Sequence, residues 1–270
     1  MLCLVPTPIG NLEDISQRSL RVLLEAELIF CEDTRVTTKL LNLLGERNNL
    51  DFSNKEYKSF HSHNEDKILK TLTKETFTKN VVYVSDAGMP CVSDPGATLV
   101  EFCIQNEIPY DVLPGANAIL TAYAMSGFAH TTFSFYGFLD HKGVSRASKL
   151  DDILNDDKLS ILYESPHRLL KLLEELSIKD PNRTIFLAKE ITKLHQNSYK
   201  DTSLNLFEKF KDINIRGEWV VIIEPKETVG FNLDLDDILS LDIAPKIKAK
   251  LIAKMTGQSI KDVYQKLLEN

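Results

Sequence analysis

Short apolar runs of strand length alternate with segments of helical periodicity along most of the chain, and this alternation restricts the fold more than any other feature. Residues 81–85 form a continuous apolar run, which is typical of a buried parallel strand. Leu20, Leu23 and Leu24 recur at helical spacing after Ser16, a residue that favours the position before the first helical turn. The pattern predicts an α/β fold, in which helices cover a sheet.

Apolar periodicity and turn residues together assign an element to most segments up to residue 224. Strands are predicted at 2–8, 28–32, 58–63, 81–85, 110–113, 132–138, 160–164, 184–189 and 219–224. Helices are predicted at 16–27, 34–44, 65–77, 98–107, 116–126, 145–154, 166–176 and 203–210. Gly45 is expected to end the second helix as its C′ residue, because glycine adopts the left-handed conformation without strain.

The segment 116–126 is unusually apolar, and we expect it to form a helix that is buried between two bodies. We therefore predict two α/β domains, residues 1–115 and 116–230, with a cofactor cleft between them, because ligand sites are common where domains meet. Residues 234–270 are predicted to form a small, separate helical appendage.

Composition indicates a soluble protein that stays in the cytoplasm. The hydrophobic fraction is 43% and the charged fraction 26%, as in ordinary globular proteins. No apolar run approaches the ~20 residues that span a bilayer. Residues 1–6 lack the basic segment and the cleavage site of a signal peptide. The four cysteines are scattered without C-x-x-C spacing, which argues against a zinc ribbon or a redox pair.

The net charge of −7 argues against a protein that binds nucleic acid through its overall charge. A local exception lies near the C-terminus, where residues 244–266 carry six lysines and one acidic residue, Asp262. The lysines at 246, 248, 250 and 254 recur along a predicted helix, whose other face holds Ile247, Leu251, Ile252 and Met255. Either this lysine face binds RNA or it is simply solvated.

Five loops that follow predicted strands contain more Gly, Pro, Asp, Ser or charged residues than packing requires. They are residues 6–11, 85–96, 113–117, 163–168 and 188–193. Loops at the carboxyl ends of strands are the usual ligand-binding positions of an α/β sheet, so we expect these loops to converge on one site.

Common nucleotide and hydrolase signatures are absent from the sequence. The first strand is not followed by G-x-G-x-x-G, and neither a P-loop nor a G-x-S-x-G elbow occurs. His61 and His63 alternate on one face of a predicted strand, but no third ligand stands at a persuasive spacing, so no metal site is predicted.

Several of these segments resemble the tetrapyrrole-methylase superfamily, and more narrowly its small-subunit ribosomal RNA (cytidine) 2′-O-ribose methyltransferase branch. The resemblance runs from residue 2 to about residue 225. It is carried by Pro-Thr-Pro-Ile-Gly-Asn-Leu-Glu-Asp-Ile at 6–15, Cys-Glu-Asp-Thr-Arg at 31–35, the loop 85–96, Tyr-Glu-Ser-Pro-His-Arg at 163–168 and Gly-Glu-Trp-Val at 217–220. Residues 244–264 are similar to the C-terminal helix-turn-helix segment of that branch.

The resemblance implies a two-domain tetrapyrrole-methylase-like fold that binds S-adenosylmethionine in the cleft, acts on the small ribosomal subunit (30S) and forms a homodimer without membrane attachment. The positions that match cofactor contacts of the superfamily are Pro8, Met89, Val92, Ala116, Asn117, Tyr163, Ala188 and Trp219. Tetrapyrrole-modifying members have a glycine-rich first loop where this chain has residues 6–11, and this departure favours an RNA substrate.

A ribose hydroxyl needs a proton acceptor, and the charged residues at two strand ends supply candidates. Glu190, Lys189 and Glu164 are predicted to accept the proton or to orient the reacting groups. The predicted phosphate ligands are Arg35, Arg168, Lys246, Lys250 and Lys254. The cofactor provides the leaving group, so no metal is required.

Two other functions fit the sequence. The first is methylation of a small tetrapyrrole intermediate, which the residues at 6–11 and the basic tail disfavour. The second is a non-catalytic ribosome assembly factor that has kept the fold, which the retention of all five loops disfavours.

Overall fold

A computed structural model describes residues 1–226 and 234–269. The chain divides into two compact units, residues 1–226 and 227–270, and each has its own architecture. The first unit contains two five-stranded sheets, and the described part of the second is entirely helical. The predicted appendage begins at residue 234, after the segment 227–233, which lies outside the described residues. Among the described helices, none has the length and apolarity required to cross a membrane.

The first sheet is fully parallel, with strand order β3-β2-β4-β1-β5. Its strands are β1 (Leu2–Leu4), β2 (Leu28–Cys31), β3 (Glu56–Ser59), β4 (Val81–Val84) and β5 (Tyr110–Val112). Its helices are α1 (Gln17–Glu25), α2 (Thr34–Asn48), α3 (Glu65–Leu69) and α4 (Gly96–Gln105). β1, β2 and β4 are buried along their whole length because helices cover both faces, which explains their continuous apolar sequences.

The second sheet is mixed, with strand order β6-β7-β10-β8-β9. Its strands are β6 (Phe133–Phe138), β7 (Leu159–Glu164), β8 (Thr184–Lys189), β9 (Asn197–Thr202) and β10 (Trp219–Ile223). Its helices are α5 (Ala118–Ser126), α6 (Val144–Asn155), α7 (Pro166–Lys179) and α8 (Ser203–Phe210). Only β6 and β7 pair in parallel, and the other neighbours are antiparallel. α6, α7 and α8 cover one face, and α5 covers the other.

Local signals explain why most predicted elements are confirmed within a few residues. Ser16 caps α1 by accepting a hydrogen bond from the Ser19 N–H, and Asn117 caps α5 by accepting one from the Leu120 N–H. The predicted boundary at residue 115 falls between β5 and α5, that is, between the strands of one sheet and those of the other. The division into domains 1–115 and 116–230 stays a prediction.

The prediction that Gly45 ends α2 is wrong. The helix continues to Asn48 and ends at Asn49, which adopts the left-handed conformation at φ +52°. Gly45 is buried where the chain returns, and a Cβ there would lie 2.7 Å from the Leu50 carbonyl oxygen. The glycine therefore permits a close approach of backbone rather than a positive φ.

The segment after β3 also differs from its prediction. The strand ends at Ser59, so His61 and His63 lie in a turn rather than on one strand face, and the His63 N–H donates to His61 Nδ1. The predicted helix 65–77 is divided into the short α3 and a 3₁₀ helix, Lys74–Thr78.

Two features of the second sheet were not anticipated. β9 is an edge strand whose sequence, Asn-Ser-Tyr-Lys-Asp-Thr, is too polar to show a strand pattern. α5 is not enclosed on all sides as expected. Ile119 and Ala122 pack against the second sheet, but Leu120 on the opposite side of the helix is 54% exposed.

The second compact unit contains α9 (Leu235–Ser240), α10 (Pro245–Thr256) and α11 (Ile260–Glu269). Its small core consists of Ile238, Ala249, Ile252, Ala253 and Val263. Of the four apolar residues predicted on the face of α10 away from the lysines, Ile252 belongs to this core, whereas Ile247, Leu251 and Met255 are exposed.

Candidate functional site

A cavity of about 320 Å³ lies between loops of the first sheet and the strand ends of the second. We call it the main cavity. Its lining residues include Ile9 and Ala87 from the first sheet's loops and Tyr163, Ser165 and Val220 from the second sheet. A smaller side cavity of about 100 Å³ adjoins it and shares the lining residues Ile9, Ala87, Ala118 and Tyr163. Because Ile191 of the loop 188–193 also lines it, four of the five predicted loops contribute to the main cavity.

Backbone hydrogen bonds hold the first-sheet loops against each other. The Thr7 N–H donates to the Gly88 oxygen at 3.0 Å, and the Gly88 N–H donates to the Thr7 oxygen at 3.1 Å. The buried Thr7 hydroxyl donates to the Ser85 oxygen at 3.3 Å. Gly88 has φ +88°, which a residue with a side chain rarely adopts. This reciprocal bridge fixes the loops that carry Ile9 and Ala87.

Asp94 organises the second half of the loop 85–96. Its Oδ1 accepts hydrogen bonds from the Tyr83 hydroxyl and the Gly96 N–H, both at 2.8 Å. Burial, reinforced by the nearby Asp94 charge, raises the pKa of Tyr83, so the phenol stays protonated and donates. Asp94 thereby ties the loop to β4 and to the first turn of α4.

Acidic groups gather at the first-sheet edge of the side cavity. Glu32 accepts a hydrogen bond from the Asp86 N–H at 3.0 Å, and Asp86 accepts one from the Asp33 N–H at 3.2 Å. Burial raises the pKa of both Glu32 and Asp86. Glu32 and Asp94 line the side cavity, which therefore favours hydroxyl or cationic groups of a ligand.

The aromatic ring of Tyr163 forms part of the second-sheet wall of both cavities. Its centroid lies 5.1 Å from that of Phe135 and 5.5 Å from that of Phe138. Burial, with a smaller contribution from the Glu218 charge, raises the pKa of Tyr163 to about 12. The phenol is therefore neutral at physiological pH and presents a ring and a hydrogen-bonding hydroxyl.

Glu164 is fully buried within a chain of four charged side chains. Its Oε1 accepts from Arg168 at 2.9 Å and from the Ser165 N–H at 2.8 Å, and its Oε2 lies 3.9 Å from Arg146. Arg146 in turn pairs with Glu175 at 2.6 Å. Burial outweighs these partners and raises the pKa of Glu164. Glu164 borders the main cavity, but its carboxylate is bound to two arginines.

Arg168 is held at three points. Besides the Glu164 ion pair, it donates to the Leu139 oxygen at 2.8 Å and to the Ser165 hydroxyl at 3.3 Å. Its guanidinium carbon lies 5.9 Å from the centroid of the Phe138 ring. Arg168 is therefore part of the wall beside the main cavity, and most of its donors are already used.

Glu190 lies in a tight turn after β8, with a left-handed φ of +48°. Its Oε1 accepts from the Glu218 N–H at 2.8 Å and from Lys193 Nζ at 2.9 Å, and Lys193 also pairs with the exposed Glu218 at 2.9 Å. Burial opposes ionisation, but these hydrogen bonds outweigh it and lower the pKa of Glu190. A Cβ at Gly217 would lie 2.6 Å from Glu190 Cγ.

Glu190 and Lys189 line a separate, open groove of about 720 Å³ rather than the main cavity. Lys189 Nζ donates to the Asn214 oxygen at 3.2 Å and lies 5.5 Å from the Trp219 ring centroid. Glu218, next to Gly217 of the groove, borders the main cavity. The Glu190–Lys193–Glu218 group thus stands between the groove and the cavity.

Most of the predicted cofactor-contact positions border one of the two cavities. Met89, Val92, Asn117 and Tyr163 line the side cavity, and Tyr163 and Trp219 line the main one. The Trp219 indole itself packs among Phe210 and Tyr199 on the far face of the sheet, and its N–H donates to the Ile215 oxygen.

The three remaining positions, Pro8, Ala116 and Ala188, stand behind the cavity lining. Pro8 and Ala188 are buried, and Ala188 belongs to the apolar cluster behind Val220. A Cβ built on Gly88 would lie 3.6 Å from the Ala116 oxygen, so Ala116 presents backbone towards the bridge.

The predicted phosphate ligands are dispersed. Arg35 is 89% exposed, borders neither cavity and pairs with Asp33 at 2.6 Å. The side-chain hydrogen bonds of this pair lower the pKa of Asp33 to about 2. Lys246, Lys250 and Lys254 lie on α10, in the second compact unit.

Several residues that line the main cavity belong to predicted segments but were not predicted as site residues. They include Ala87, Ala118, Phe138, Glu218 and Val220. Each lies near the end of a predicted strand or helix. Only this position, and not the residue type, could have indicated that it lines a cavity. In the described parts of the chain, no group of three His, Cys, Asp or Glu side chains is arranged to hold a metal ion.

Comparisons with known proteins agree with this architecture. The family model for tetrapyrrole (corrin/porphyrin) methylases matches residues 1–206. A protein of Campylobacter fetus called ribosomal RNA small subunit methyltransferase I is 46% identical, over 99% of this chain and 100% of its own. The protein of the same name from Helicobacter pylori strain 26695 is 42% identical, over 100% of this chain and 99% of its own.

Among solved structures, uroporphyrin-III C-methyltransferase of Thermus thermophilus, complexed with S-adenosyl homocysteine, has a TM-score of 0.55. It is 16% identical, and the match covers 82% of this chain and 96% of that one, so it supports the fold. The family match spans the first sheet, four strands of the second and every residue that lines the side cavity, but it ends before residues 218–220 of the main cavity. The chain therefore belongs to the tetrapyrrole (corrin/porphyrin) methylase family, in the branch whose curated members are called ribosomal RNA small subunit methyltransferase I.

Proposed function

We propose that the protein transfers a methyl group from S-adenosylmethionine to the ribose 2′-hydroxyl of a cytidine in small-subunit ribosomal RNA. The observation that supports this proposal most strongly is a cavity lined by loops of both sheets. The chain that forms it aligns over almost its whole length with relatives called ribosomal RNA small subunit methyltransferase I. The alternatives are tetrapyrrole methylation and a purely structural role in ribosome assembly, and a methyl-transfer assay distinguishes them.

We assign the cofactor to the main and side cavities. A flat ring approaches backbone most closely where side chains are small, and Ala87 and Ala118 provide this at the shared wall, with Gly88 next to them in the side cavity. We further propose that Met89, Val92, Asn117, Tyr163 and Trp219 contact the cofactor and that Pro8, Ala116 and Ala188 shape its pocket from behind. The sulfonium supplies the methyl group and its own leaving group, so the proposal includes no metal.

We assign proton acceptance to the Glu190–Lys193–Glu218 group, with Glu190 as the acceptor and Lys189 as an orienting cation. The lowered pKa of Glu190 keeps its carboxylate ionised at neutral pH. A positioned base of this kind supplies ~10²–10⁴-fold in rate. For Glu164 we propose a positioning role, because its carboxylate holds Arg168 and the Ser165 N–H at the cavity wall.

Substrate binding, in this proposal, combines dispersed cations. Arg35 has a well exposed guanidinium for phosphate, and Arg168 offers its remaining donors at the cavity rim. Lys246, Lys250 and Lys254 on α10 bind the RNA backbone outside the target nucleotide. We propose that the protein does this as a cytoplasmic homodimer that acts on the 30S subunit.

The decisive experiment is a methyl-transfer assay with purified protein and labelled S-adenosylmethionine. Small subunits from cells that lack this protein and a tetrapyrrole precursor are offered in parallel. We expect label in ribosomal RNA alone, with mass mapping that locates one 2′-O-methylcytidine. Label in the tetrapyrrole would support that alternative, and absence of turnover with either substrate would support an assembly factor.

The role of Glu190 is tested by Glu190→Gln. Loss of the proton acceptor is expected to lower methylation at least ~100-fold while calorimetry gives an unchanged cofactor affinity. Glu208→Gln is the matched control, because Glu208 also pairs with a lysine three residues away, Lys211, but both side chains are largely exposed and line neither cavity. Normal methylation by Glu190→Gln would remove Glu190 from the mechanism.

A further inference from the structure

Phe138 is an aromatic residue with a largely open ring at the rim of the main cavity. It lines the cavity, yet 54% of the residue is exposed, whereas Phe135 in the same strand packs against the apolar cluster under α5. Exposed single aromatics are not unusual, but one that borders a ligand cavity offers a flat face to a ligand.

A β-bulge determines which way Phe138 faces. In the pairing of β6 with β7, Phe135 lies opposite Ile161 and Phe138 opposite Tyr163, so three steps in β6 match two in β7. The residue of β6 without a partner is Tyr136, and Gly137 next to it has φ +62° and nothing within 4 Å of where its Cβ would be. The glycine is therefore required by conformation, and the bulge turns Phe138 onto the cavity side of the sheet.

The ring has partners on its inner side that hold it in place. Tyr163 lies 5.5 Å away between centroids, and the Arg168 guanidinium carbon lies 5.9 Å from the Phe138 centroid. Arg168 is itself fixed by the buried Glu164. The ring thus has rigid neighbours behind it and a free face in front.

The surroundings of the free face suit a polyanion. Phe138 is followed by Leu139 and then by the exposed segment 140–143, which contains Lys142 and His141 as well as Asp140, whose carboxylate accepts a hydrogen bond from the Ser145 hydroxyl. Arg168, whose guanidinium carbon lies 5.9 Å from the ring centroid, adds a permanent positive charge that is paired with Glu164. An aromatic face between cations is the combination by which proteins hold unstacked nucleotides: the ring stacks on the base and the cations meet the phosphates.

We propose that Phe138 is the stacking platform for a base of the RNA substrate at or next to the methylated ribose. The inference rests on the proposed function and adds the residue that holds the nucleotide. The stack needs an unpaired nucleotide, because only an unstacked base can leave its neighbours and lie against an aromatic side chain. Stacking on Phe138 replaces the stacking that the base loses.

The experiment compares Phe138→Leu, which keeps an apolar side chain without a π-face, with Phe138→Trp, which keeps the face. Removal of a stacking partner is expected to lower kcat/KM for 30S subunits by roughly 5- to 150-fold. Cofactor Kd from calorimetry is expected to stay within about twofold of native. The tryptophan variant is expected to retain most of the native kcat/KM, because a larger ring stacks at least as well.

Tyr110→Leu is the matched control. Tyr110 is an aromatic residue with 42% exposure on β5, at the edge of the first sheet, and borders neither cavity. Its replacement is expected to leave both kcat/KM and cofactor Kd unchanged. A fall equal to that of Phe138→Leu would mean that loss of any exposed aromatic suffices, and would overturn the proposal.

Three further results would overturn it. Native kcat/KM in Phe138→Leu would mean that the ring holds no base. A cofactor Kd that weakens in parallel with kcat/KM would assign Phe138 to the cofactor, and a tryptophan variant as poor as the leucine variant would indicate fitted shape rather than stacking. A native protein that leaves 30S subunits unmethylated refutes the proposed function itself, whereas native turnover with an unaffected leucine variant refutes the stacking proposal alone.

Discussion

The two sides of the main cavity are held together by different forces. On the first-sheet side, backbone groups and the hydroxyl of Thr7 join the loops through the bridge to Gly88. On the second-sheet side, charged side chains hold the segments together. They form a buried series of ion pairs from Glu175 through Arg146 to Glu164 and Arg168.

The difference teaches where the site tolerates change. A bridge of backbone groups survives most side-chain replacements, because the bonding atoms are common to all residues. A buried ion network depends on each member, since removal of one leaves another charge without its partner in a poorly solvated place. We therefore expect larger effects from single replacements on the second-sheet side.

The largest expected effect comes from Arg146→Met, which removes the central cation of the buried network. Loss of one partner of a buried ion pair costs about 3–5 kcal/mol, and here Glu164 and Glu175 both lose a neighbour. Urea unfolding measures the change. Lys171→Met is the control, because Lys171 also faces Glu175, at 3.8 Å, but from an exposed position. It is expected to change stability by less than about 1 kcal/mol; equal losses would contradict the contrast.

The next effect is expected from Gly217→Ala. The positive φ of +105° alone strains an alanine by about 1–2 kcal/mol, and the new Cβ would also displace Glu190. Both stability and methylation are expected to fall. Gly127→Ala separates the two causes, because Gly127 also has a positive φ, +62°, with nothing within 4 Å of its Cβ position. If both variants lose the same free energy of unfolding, the contact between the new Cβ and Glu190 does not contribute to the loss.

A smaller effect is expected from Thr7→Val on the first-sheet side. The variant loses the hydroxyl that donates to the Ser85 oxygen, while the backbone bonds between Thr7 and Gly88 remain. The expected loss is about 1 kcal/mol, together with weaker cofactor binding in calorimetry. A loss as large as that of Arg146→Met would contradict the expectation that single replacements have larger effects on the second-sheet side.

The smallest effect is a pair of opposite pH dependences on the second-sheet side. The lowered pKa of Glu190 gives stability that is present above its ordinary value of 4.5 and is lost as pH falls. The raised pKa of Glu164 has the opposite effect on stability. The free energy of unfolding of the native protein falls as pH rises through this pKa, because the buried carboxyl group then becomes charged. Over a pH range on both sides of 4.5, the stability of Glu190→Gln relative to native protein is therefore expected to fall as pH rises to 4.5, whereas that of Glu164→Gln is expected to rise as pH increases above 4.5. Urea unfolding along this range measures both slopes, and slopes of the same sign would contradict the assignment.

Much of the fold was predictable because its signals are local. Ser16 and Asn117 cap the helices that they precede, and the buried strands of the first sheet are continuous apolar runs. β9 escaped prediction for the opposite reason: at the sheet edge its side chains remain in water, and no apolar pattern is needed.

The candidate site was predictable at the level of loops and less so at the level of side chains. The segments around Gly88 and Tyr163 were expected to converge, and they line the same cavities. Glu190 was expected beside them, but its carboxylate turns towards Lys193 and the open groove. Adjacent residues at a strand end point to opposite faces, so a loop can reach a cavity that a given member of it does not face.

The sequence by itself determined the α/β alternation, the Ser16 cap of α1 and the positions of the ligand-bearing loops, because these depend on residues close together in the chain. Only the tertiary structure decided which side chains face the cavity. That choice depends on strand register, as in the bulge at Gly137 that turns Phe138 towards Tyr163, and on charges brought together from distant segments, such as Arg146 and Glu164. Register and burial result from packing the whole domain, and no short stretch of residues encodes them.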